Sequence, residues 1–267
     1  MAAVQTRTAR VVGLGLLMAF ALAVRLRGLG ELEFWYDEIA LWLYSISGTP
    51  PTPLEPPLMS WLLLSAMWAF NTTGPFIIHL LPTLLMVLTI PLMFAVGKLT
   101  DGRESTGWIA ATLVAISPIS LFYAREGRPY ALFWLISLAL YAGFLWAHRR
   151  NTVAQWSAYA GLLALCGLTH LLTVQIVVAF TVFAVAYALL LDHTPERRLR
   201  LARFLVFTAA GTIVGLSWAA VRALSSYGAA MAMGRSASGV YPYGPGRYLR
   251  NILVNFGPGE RTRATMS

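Results

Sequence analysis

Long apolar stretches alternate along this chain with short polar segments. Three of the stretches, at residues 106–123, 129–147 and 155–191, contain no Asp, Glu, Lys or Arg. The hydrocarbon core of a bilayer requires about 20 apolar residues per helix, so runs of this length predict membrane-spanning helices. The 37 residues at 155–191 would extend about 55 Å as one helix, which is too long for a single crossing. This run therefore predicts two helices that turn near residues 168–173.

Eight apolar segments are predicted, and one of them is ambiguous. Segment 57–73 could cross the membrane, or it could lie in the interface as an amphipathic helix. The first segment ends in a motif that resembles a signal-peptide cleavage site, but the spans that follow favour a retained first helix. The segments lie at about 10–28, 57–73, 75–97, 106–123, 129–147, 155–169, 172–191 and 204–222.

The distribution of basic residues decides the role of segment 57–73. If it lies in the interface and the N-terminus is cytoplasmic, the short inner loops hold ten basic residues and the short outer loops hold five, with the long C-terminal segment left out of the count. If it crosses, the count becomes five inside and ten outside. The positive-inside rule thus predicts seven spans in a core at 1–222, a first outer loop at 29–74 with in-plane helices, and an outer segment at 223–267. The inner set is Arg7, Arg10, Lys98, Arg103, Arg149, Arg150, Arg197, Arg198, Arg200 and Arg203, and the outer set is Arg25, Arg27, Arg125, Arg128 and Arg222.

The composition agrees with an all-α, polytopic membrane protein, for which the cell's inner or plasma membrane is the expected location. Hydrophobic residues make up 58% of the chain and charged residues 12%, and the mean hydropathy is +0.65. A net charge of +9 would suggest nucleic acid in a soluble protein. Here the basic residues lie in short loops, so the partner expected is the lipid bilayer and not nucleic acid. Cys166 is the single cysteine, which excludes a disulfide framework and a cysteine-based metal site.

Carboxylates and aromatic residues in the first outer loop are the first candidates for chemistry. Asp37 and Glu38 follow Tyr36 in a segment rich in aromatic residues, at a depth typical of the membrane interface. Partial desolvation there would raise carboxylate pKa values. The alternative is an acidic turn that caps an interfacial helix. Glu55 precedes two prolines, and it either contributes to a site or simply marks the start of a helix.

The second outer loop supplies the candidates for phosphate binding. Arg125 and Arg128 lie on the outer side, against the usual charge bias, and flank Glu126. The planar guanidinium fork suits phosphate oxygens. The alternative is that these arginines extend to the lipid headgroups and pair with Glu126. His170, between two predicted helices near the outer surface, is either a ligand-binding residue or a hydrogen-bonded turn residue.

The order of these motifs resembles the GT-C superfamily of polyprenyl-phosphate-sugar-dependent glycosyltransferases. The nearest similarity is to bacterial relatives of protein O-mannosyltransferases and aminoarabinose transferases, over residues 8–222. Two residues depart from the family: Glu55 stands where members usually carry His, and His79 stands near where many members carry Arg. The similar elements are Tyr36-Asp37-Glu38-Ile39-Ala40, Glu55-Pro56-Pro57-Leu58, Leu81-Pro82 to Gly97-Lys98, Ile116-Ser117-Pro118 to Tyr130-Ala131-Leu132, and Thr169-His170.

The resemblance implies inverting transfer of a mannose- or arabinose-type sugar from a polyprenyl-phosphate carrier to a glycan, lipid or protein hydroxyl outside the membrane. Asp37 is then the catalytic base, and Glu38 and Glu126 orient the acceptor or support a cation, Mg or Mn if a metal is required. Arg125 or Arg128 holds the lipid phosphate. The substrate-binding set is Arg125, Arg128, Tyr130, Glu55, His170 and Tyr36.

Two other functions stay open on the sequence alone. A non-catalytic assembly partner would use the same helices without chemistry. A transporter would carry ionisable or helix-breaking residues near mid-membrane, for which Pro82, Pro91 and Pro118 are weak signals. Members of the GT-C superfamily usually continue with several more spans. This chain is accordingly either a fragment, a degenerate copy or a minimal form.

Overall fold

The computed structural model describes residues 2–31, 38–39, 42–43 and 56–232, with side chains described from residue 7 to residue 225. These ranges are helical and contain no β-strand. The chain divides into two compact units, Met1–Ala219 and Ala220–Ser267, and residues 220–232 of the second are helical. The helices are α1 (Ala2–Leu26), α2 (Pro57–Phe70), α3 (Pro75–Asp101), α4 (Glu104–Ile116), α5 (Pro118–Ala124), α6 (Tyr130–Arg150), α7 (Val153–Thr169), α8 (Thr173–Leu190) and α9 (Arg197–Ala232), with a 3₁₀ turn at Leu29–Glu31.

Several helices are long and apolar enough to cross a membrane. Among the described residues, five single helices qualify, and the bent pair α4–α5 would make six. Helices α2 and α7 are apolar but shorter. The prediction of an all-α, multi-pass membrane protein is therefore confirmed. The five segments are Arg7–Glu31, Pro75–Asp101, Tyr130–Arg150, Thr173–Leu190 and Arg197–Ser225.

The segment predicted as one helix at 106–123 is broken, with a bend of 58° between α4 and α5. Pro118 has no N–H to donate, and its ring would meet the carbonyl of Val114 in a continuous helix. Ser117 adopts an extended conformation there, and its Oγ accepts a hydrogen bond from the Ser120 N–H, which caps α5. Proline alone does not cause such a bend, because α3 continues through Pro82 and Pro91.

Helix α9 extends ten residues beyond the predicted end of the core at residue 222, to Ala232. No helix was predicted in the outer segment from residue 223, whose turn-forming residues are concentrated at 241–246. Residues 223–232 include four alanines and one leucine, which favour a helix. The turn-rich stretch at 241–246 lies outside the described residues.

Contacts between side chains define the two ends of the helical bundle. At the Lys98 end, which comprises Arg10, Lys98, Glu104, Arg149 and Asn151, Glu104 accepts hydrogen bonds from Arg10 and Lys98. There Arg149 also donates to the carbonyl of Leu99, and Arg203 donates to that of Asn151. The Glu38 end comprises Arg27, Glu38, Arg125, Gly127 and His170. Helix α3 connects the two ends, since His79 near its start and Lys98 near its finish are roughly 29 Å apart along the axis.

Small residues allow close helix packing within the first unit. A Cβ atom added to Gly215 of α9 would lie 2.7 Å from the carbonyl oxygen of Ala164 in α7, and one on Gly211 would lie equally close to that of Ala160. Gly107 of α4 approaches the backbone of Phe94 in α3 in the same way. Close backbone contact of this kind is a major source of helix association in membranes.

Candidate functional site

Glu38 connects the first predicted outer loop with the second one and with α3. Its side chain is 1% exposed, and Oε1 accepts a hydrogen bond from the Gly127 N–H. The same oxygen lies 3.4 Å from Nε2 of His79, which is also 1% exposed. A Cβ atom on Gly127 would lie 2.6 Å from Cγ2 of Ile78, so glycine permits this close approach. Because Gly127 lies between Glu126 and Arg128, the contact brings Glu38 beside both candidates.

Arg125 joins the second loop to the end of α1. Its Nη2 donates a 2.9 Å hydrogen bond to the carbonyl oxygen of Arg27. Gly28 follows with φ of +66°, a left-handed conformation that favours glycine. A Cβ atom there would lie 3.5 Å from Oε2 of Glu31 and 3.7 Å from Nη2 of Arg125, so both groups border this turn. Arg125 thus has a structural contact that limits its freedom to bind a ligand.

Arg128, Tyr130 and His170 form a continuous stack. The Arg128 guanidinium carbon lies 5.8 Å from the centre of the Tyr130 ring, at a distance typical of a cation–π contact. The Tyr130 and His170 rings are 5.3 Å apart between centroids, and Phe133 lies at the same distance from His170. The stack joins the second loop to the α7–α8 turn, so residues far apart in sequence lie at one end of the bundle.

The environment of His170 favours its neutral form. Burial lowers the pKa of the imidazole, and the positive charge of Arg128 lowers it further. Nδ1 accepts a 3.1 Å hydrogen bond from the Leu172 N–H, which is possible only when that nitrogen carries no proton. The remaining ring nitrogen of the neutral imidazole then carries the proton and is a hydrogen-bond donor.

The structure gathers part of the predicted site. Glu38, Glu126, Arg125, Arg128, Tyr130 and His170 all lie at the Glu38 end, whereas Tyr36, Asp37 and Glu55 fall outside the described residues. Within the described part of the chain, no group of three or more His, Cys, Asp or Glu side chains could hold a metal ion. The possible Mg or Mn site, which Glu38 and Glu126 would support, stays a prediction, since neighbouring Asp37 lies outside the described residues.

Two buried residues at this end were not among the site residues predicted from the sequence. His79 faces Glu38, as described above. Arg25 of α1 is fully buried, and its guanidinium donates hydrogen bonds of 3.0 to 3.2 Å to the carbonyls of Ala21, Val114 and Ala115, and one of 2.8 Å to Ser120 Oγ. Both could have been identified from the sequence, because each is an ionisable residue inside an apolar segment. Burial of such a residue costs free energy and usually requires a specific partner.

Arg25 stabilises the α4–α5 break that leads to the second loop. The carbonyls of Val114 and Ala115 lie at the end of α4, where the helix provides no further N–H donors. The five N–H donors of an arginine can satisfy several such groups at once. Arg25 therefore fixes the direction of α5, which ends directly before Arg125.

These contacts define the chemical groups that are available at the Glu38 end. It combines buried carboxylate, arginine and neutral imidazole groups at the edge of an apolar bundle. No protein-family model matches this chain, and no curated protein is significantly similar to it.

Proposed function

We propose that the chain is the core of an inverting glycosyltransferase that takes a mannose- or arabinose-type sugar from a polyprenyl-phosphate carrier. The main observation that supports the proposal is the hydrogen bond from the Gly127 N–H to Glu38. It joins the Asp37-Glu38 motif to the loop that contains Arg125, Glu126 and Arg128. The ordered resemblance to the GT-C superfamily requires these two segments to cooperate, and their contact supports that requirement.

The proposed topology has seven spans, with α2 in the interface and α7 crossing. Trp42 Nε1 donates a 3.2 Å hydrogen bond to the carbonyl of Thr73, so chain segments on both sides of α2 lie at the Glu38 end. This contact supports an α2 that does not cross. Helix α7 begins next to Asn151 at the Lys98 end and finishes at His170, which packs on Tyr130. That path supports a crossing of 17 residues.

Basic residues support an orientation with the Lys98 end in the cytoplasm. Arg10, Lys98, Arg149 and Arg203 all make contacts there. Cytoplasmic loops carry an excess of Lys and Arg. The proposed site then lies on the extracytoplasmic side of the plasma membrane, where a polyprenyl-phosphate sugar serves as donor without a soluble nucleotide.

The proposed reaction is a single displacement at the anomeric carbon. The acceptor hydroxyl oxygen forms the new glycosidic bond, the bond from the anomeric carbon to the phosphate oxygen breaks, and the hydroxyl proton passes to the Asp37 carboxylate. Polyprenyl phosphate leaves as an anion and needs no general acid. The fork of Arg128 would hold the phosphate by charge-assisted hydrogen bonds. A buried Glu38 that accepts from Gly127 is better suited to hold the second loop in position than to accept the acceptor's proton.

The test is a membrane transfer assay with a radiolabelled polyprenyl-phosphate sugar, applied to this chain and to any longer form of it. Asp37→Asn should reduce transfer by roughly 10² to 10⁴, the usual contribution of a general base, and leave donor binding unchanged. Arg128→Ala should weaken donor binding first. Glu38→Gln should cost less than Asp37→Asn. Near-full transfer by Asp37→Asn would refute the role of Asp37, and if no acidic variant affects an active protein, the proposed mechanism is wrong.

A further inference from the structure

An open cavity lined by charged and apolar side chains lies at the Lys98 end, away from the proposed catalytic site. Its volume is about 770 Å³, within the usual range for small-molecule sites. It lies between α1, α3 and α6. The residues that matter for its chemistry are Arg10, Phe94, Lys98, Leu99, Asp101 and Arg149.

The cationic side chains of this cavity are incompletely neutralised. Lys98 Nζ lies 2.8 Å from Glu104 Oε1, and Arg10 binds the same oxygen, so one carboxylate serves two cations. Arg149 donates through Nη2 to the Leu99 carbonyl at 2.7 Å. Within the described part of the chain, it makes no ion pair.

Among the described residues, Asp101 forms no ion pair with these cations, because hydrogen bonds from its own turn hold its carboxylate. Oδ1 accepts from the Arg103 N–H at 2.9 Å, and Oδ2 accepts from Thr106 Oγ at 2.6 Å. Both bonds stabilise the turn between α3 and α4. Three cationic side chains face two carboxylates, those of Glu104 and Asp101, so the cavity keeps an excess of positive charge that suits an anion with several oxygen acceptors.

The walls of the cavity are apolar as well as charged. Phe94 and Leu99 line it, and the Arg10 guanidinium carbon lies 5.9 Å from the centre of the Phe94 ring. Beside Arg10, α1 presents Val11 and Val12, which are 64% and 54% exposed. A free phosphate would use the cations but leave this apolar surface uncovered. A phosphate that carries acyl chains would use both.

We propose that this cavity binds the headgroup phosphate of an anionic phospholipid. Lys98 and Arg149 contact the phosphate, while Arg10 is held by Glu104 and Phe94 at the edge of the site. The ends of membrane-spanning helices lie at headgroup depth, so the lipid can enter laterally from its own leaflet. Anionic lipids attract basic residues at this depth with about 1 kcal/mol per side chain, which corresponds to about fivefold in affinity.

The test is native mass spectrometry of the full chain, released from neutral detergent and titrated with phosphatidylglycerol or with phosphatidylcholine of the same acyl chains. One phosphatidylglycerol should bind in preference to phosphatidylcholine. The double variant Lys98→Gln, Arg149→Gln should weaken its binding about 30-fold. The matched control Arg150→Gln, Arg198→Gln removes two exposed charges outside the cavity and should leave binding within about twofold.

Equal affinity for the two lipids, or equal losses in the cavity and control variants, would overturn the proposal. Displacement of phosphatidylglycerol by equimolar inorganic phosphate would also overturn it, because the site would then recognise a free anion. The unmodified chain provides a test that does not depend on the folding of a variant. Its preference for phosphatidylglycerol should decline from about 0.1 M to about 1 M NaCl, and a preference independent of salt contradicts a charge-based site.

Discussion

His79 Nε2 lies 3.4 Å from Glu38 Oε1, and each of the two side chains is 1% exposed. A buried carboxylate requires polar partners, and Glu38 finds them in α3 and in the Gly127 N–H. The pair therefore holds the first loop against the start of α3. Loss of either side chain would leave the other polar group buried without this contact.

Variants of Glu38 should separate its charge from its hydrogen bond. Glu38→Gln keeps an acceptor for Gly127, and we expect it to cost about 1 kcal/mol of unfolding free energy. Glu38→Ala leaves the buried N–H unsatisfied and should cost about 3 kcal/mol. Denaturant unfolding in detergent measures both, with Glu196→Ala as an exposed acidic control. Equal losses from Gln and Ala would show that the hydrogen bond to Gly127 contributes nothing.

Arg25 should be among the most sensitive positions in the described chain. Arg25→Met removes the donors to three carbonyls and one hydroxyl, and we expect a loss of about 3–5 kcal/mol. Arg25→Lys keeps the charge but has fewer donors, so it should be intermediate. Arg27→Met, which changes an exposed side chain two residues away, is the matched control. If Arg25→Met is as stable as this control in detergent, Arg25 does not stabilise the α4–α5 break.

The α7–α9 contact predicts opposite effects for two glycine substitutions. Gly215→Ala places a methyl group 2.7 Å from the Ala164 carbonyl oxygen and should cost about 1–3 kcal/mol through overpacking. Gly161→Ala meets nothing within 4 Å and should stabilise α7 by about 0.5–1 kcal/mol. Thermal unfolding in one detergent compares them directly. Similar melting temperatures for both would contradict the close approach of α7 and α9.

His170 predicts a pH dependence of stability. Burial and Arg128 lower the pKa of the folded imidazole, so the unfolded chain takes up this proton at higher pH than the folded chain. The contribution of neutral His170 to the free energy of unfolding is fully present above about pH 6.5, the pKa in the unfolded chain. This contribution is lost as the pH falls through the folded pKa. His170→Asn keeps an acceptor for the Leu172 N–H and should show a weaker decline. Parallel curves of melting temperature against pH for the two proteins would exclude His170 as the cause.

Cysteine labelling tests the proposed topology. In a Cys166→Ala background, Gly30→Cys and Thr72→Cys should react only with reagent from outside, and Ser105→Cys only with reagent from the cytoplasm. Gly127 is unsuitable for this purpose, because a side chain there would meet Ile78. Labelling of residues 30 and 72 from opposite sides would show that α2 crosses the membrane. Labelling of all three from the reverse sides would invert the proposed orientation.

The sequence predicted the positions of most helices because apolar length is a strong signal in membrane proteins. Segments 75–97 and 155–191, for example, correspond to α3 and to the α7–α8 pair. The break at Ser117 was not predicted, since Pro118 interrupts the helix while Pro82 and Pro91 do not. What distinguishes them is the tertiary contact of Arg25 with the free carbonyls of α4, which no local pattern contains.

The candidate site was predicted less completely than the fold. The loop residues Arg128 and Tyr130 were identified from charge and from family resemblance, and both lie at the Glu38 end. His79 was not among the predicted site residues, because its importance depends on a buried partner 41 positions earlier. Glu38 was expected to orient an acceptor or support a cation, and that role stays a prediction. Its hydrogen bond to Gly127, which joins the first loop to the second, was not predicted.

The contacts of Arg25 also have a consequence for biosynthesis. Its acceptors Val114, Ala115 and Ser120 are made 89 to 95 residues later, which at about 5–20 residues per second is a delay of roughly 5–20 seconds. During that interval α1 carries a charge that it cannot bury on its own. We therefore expect the first helix to wait near the translocon or at the membrane surface until α4 and α5 emerge. Its final insertion would then be a late, cooperative step of assembly.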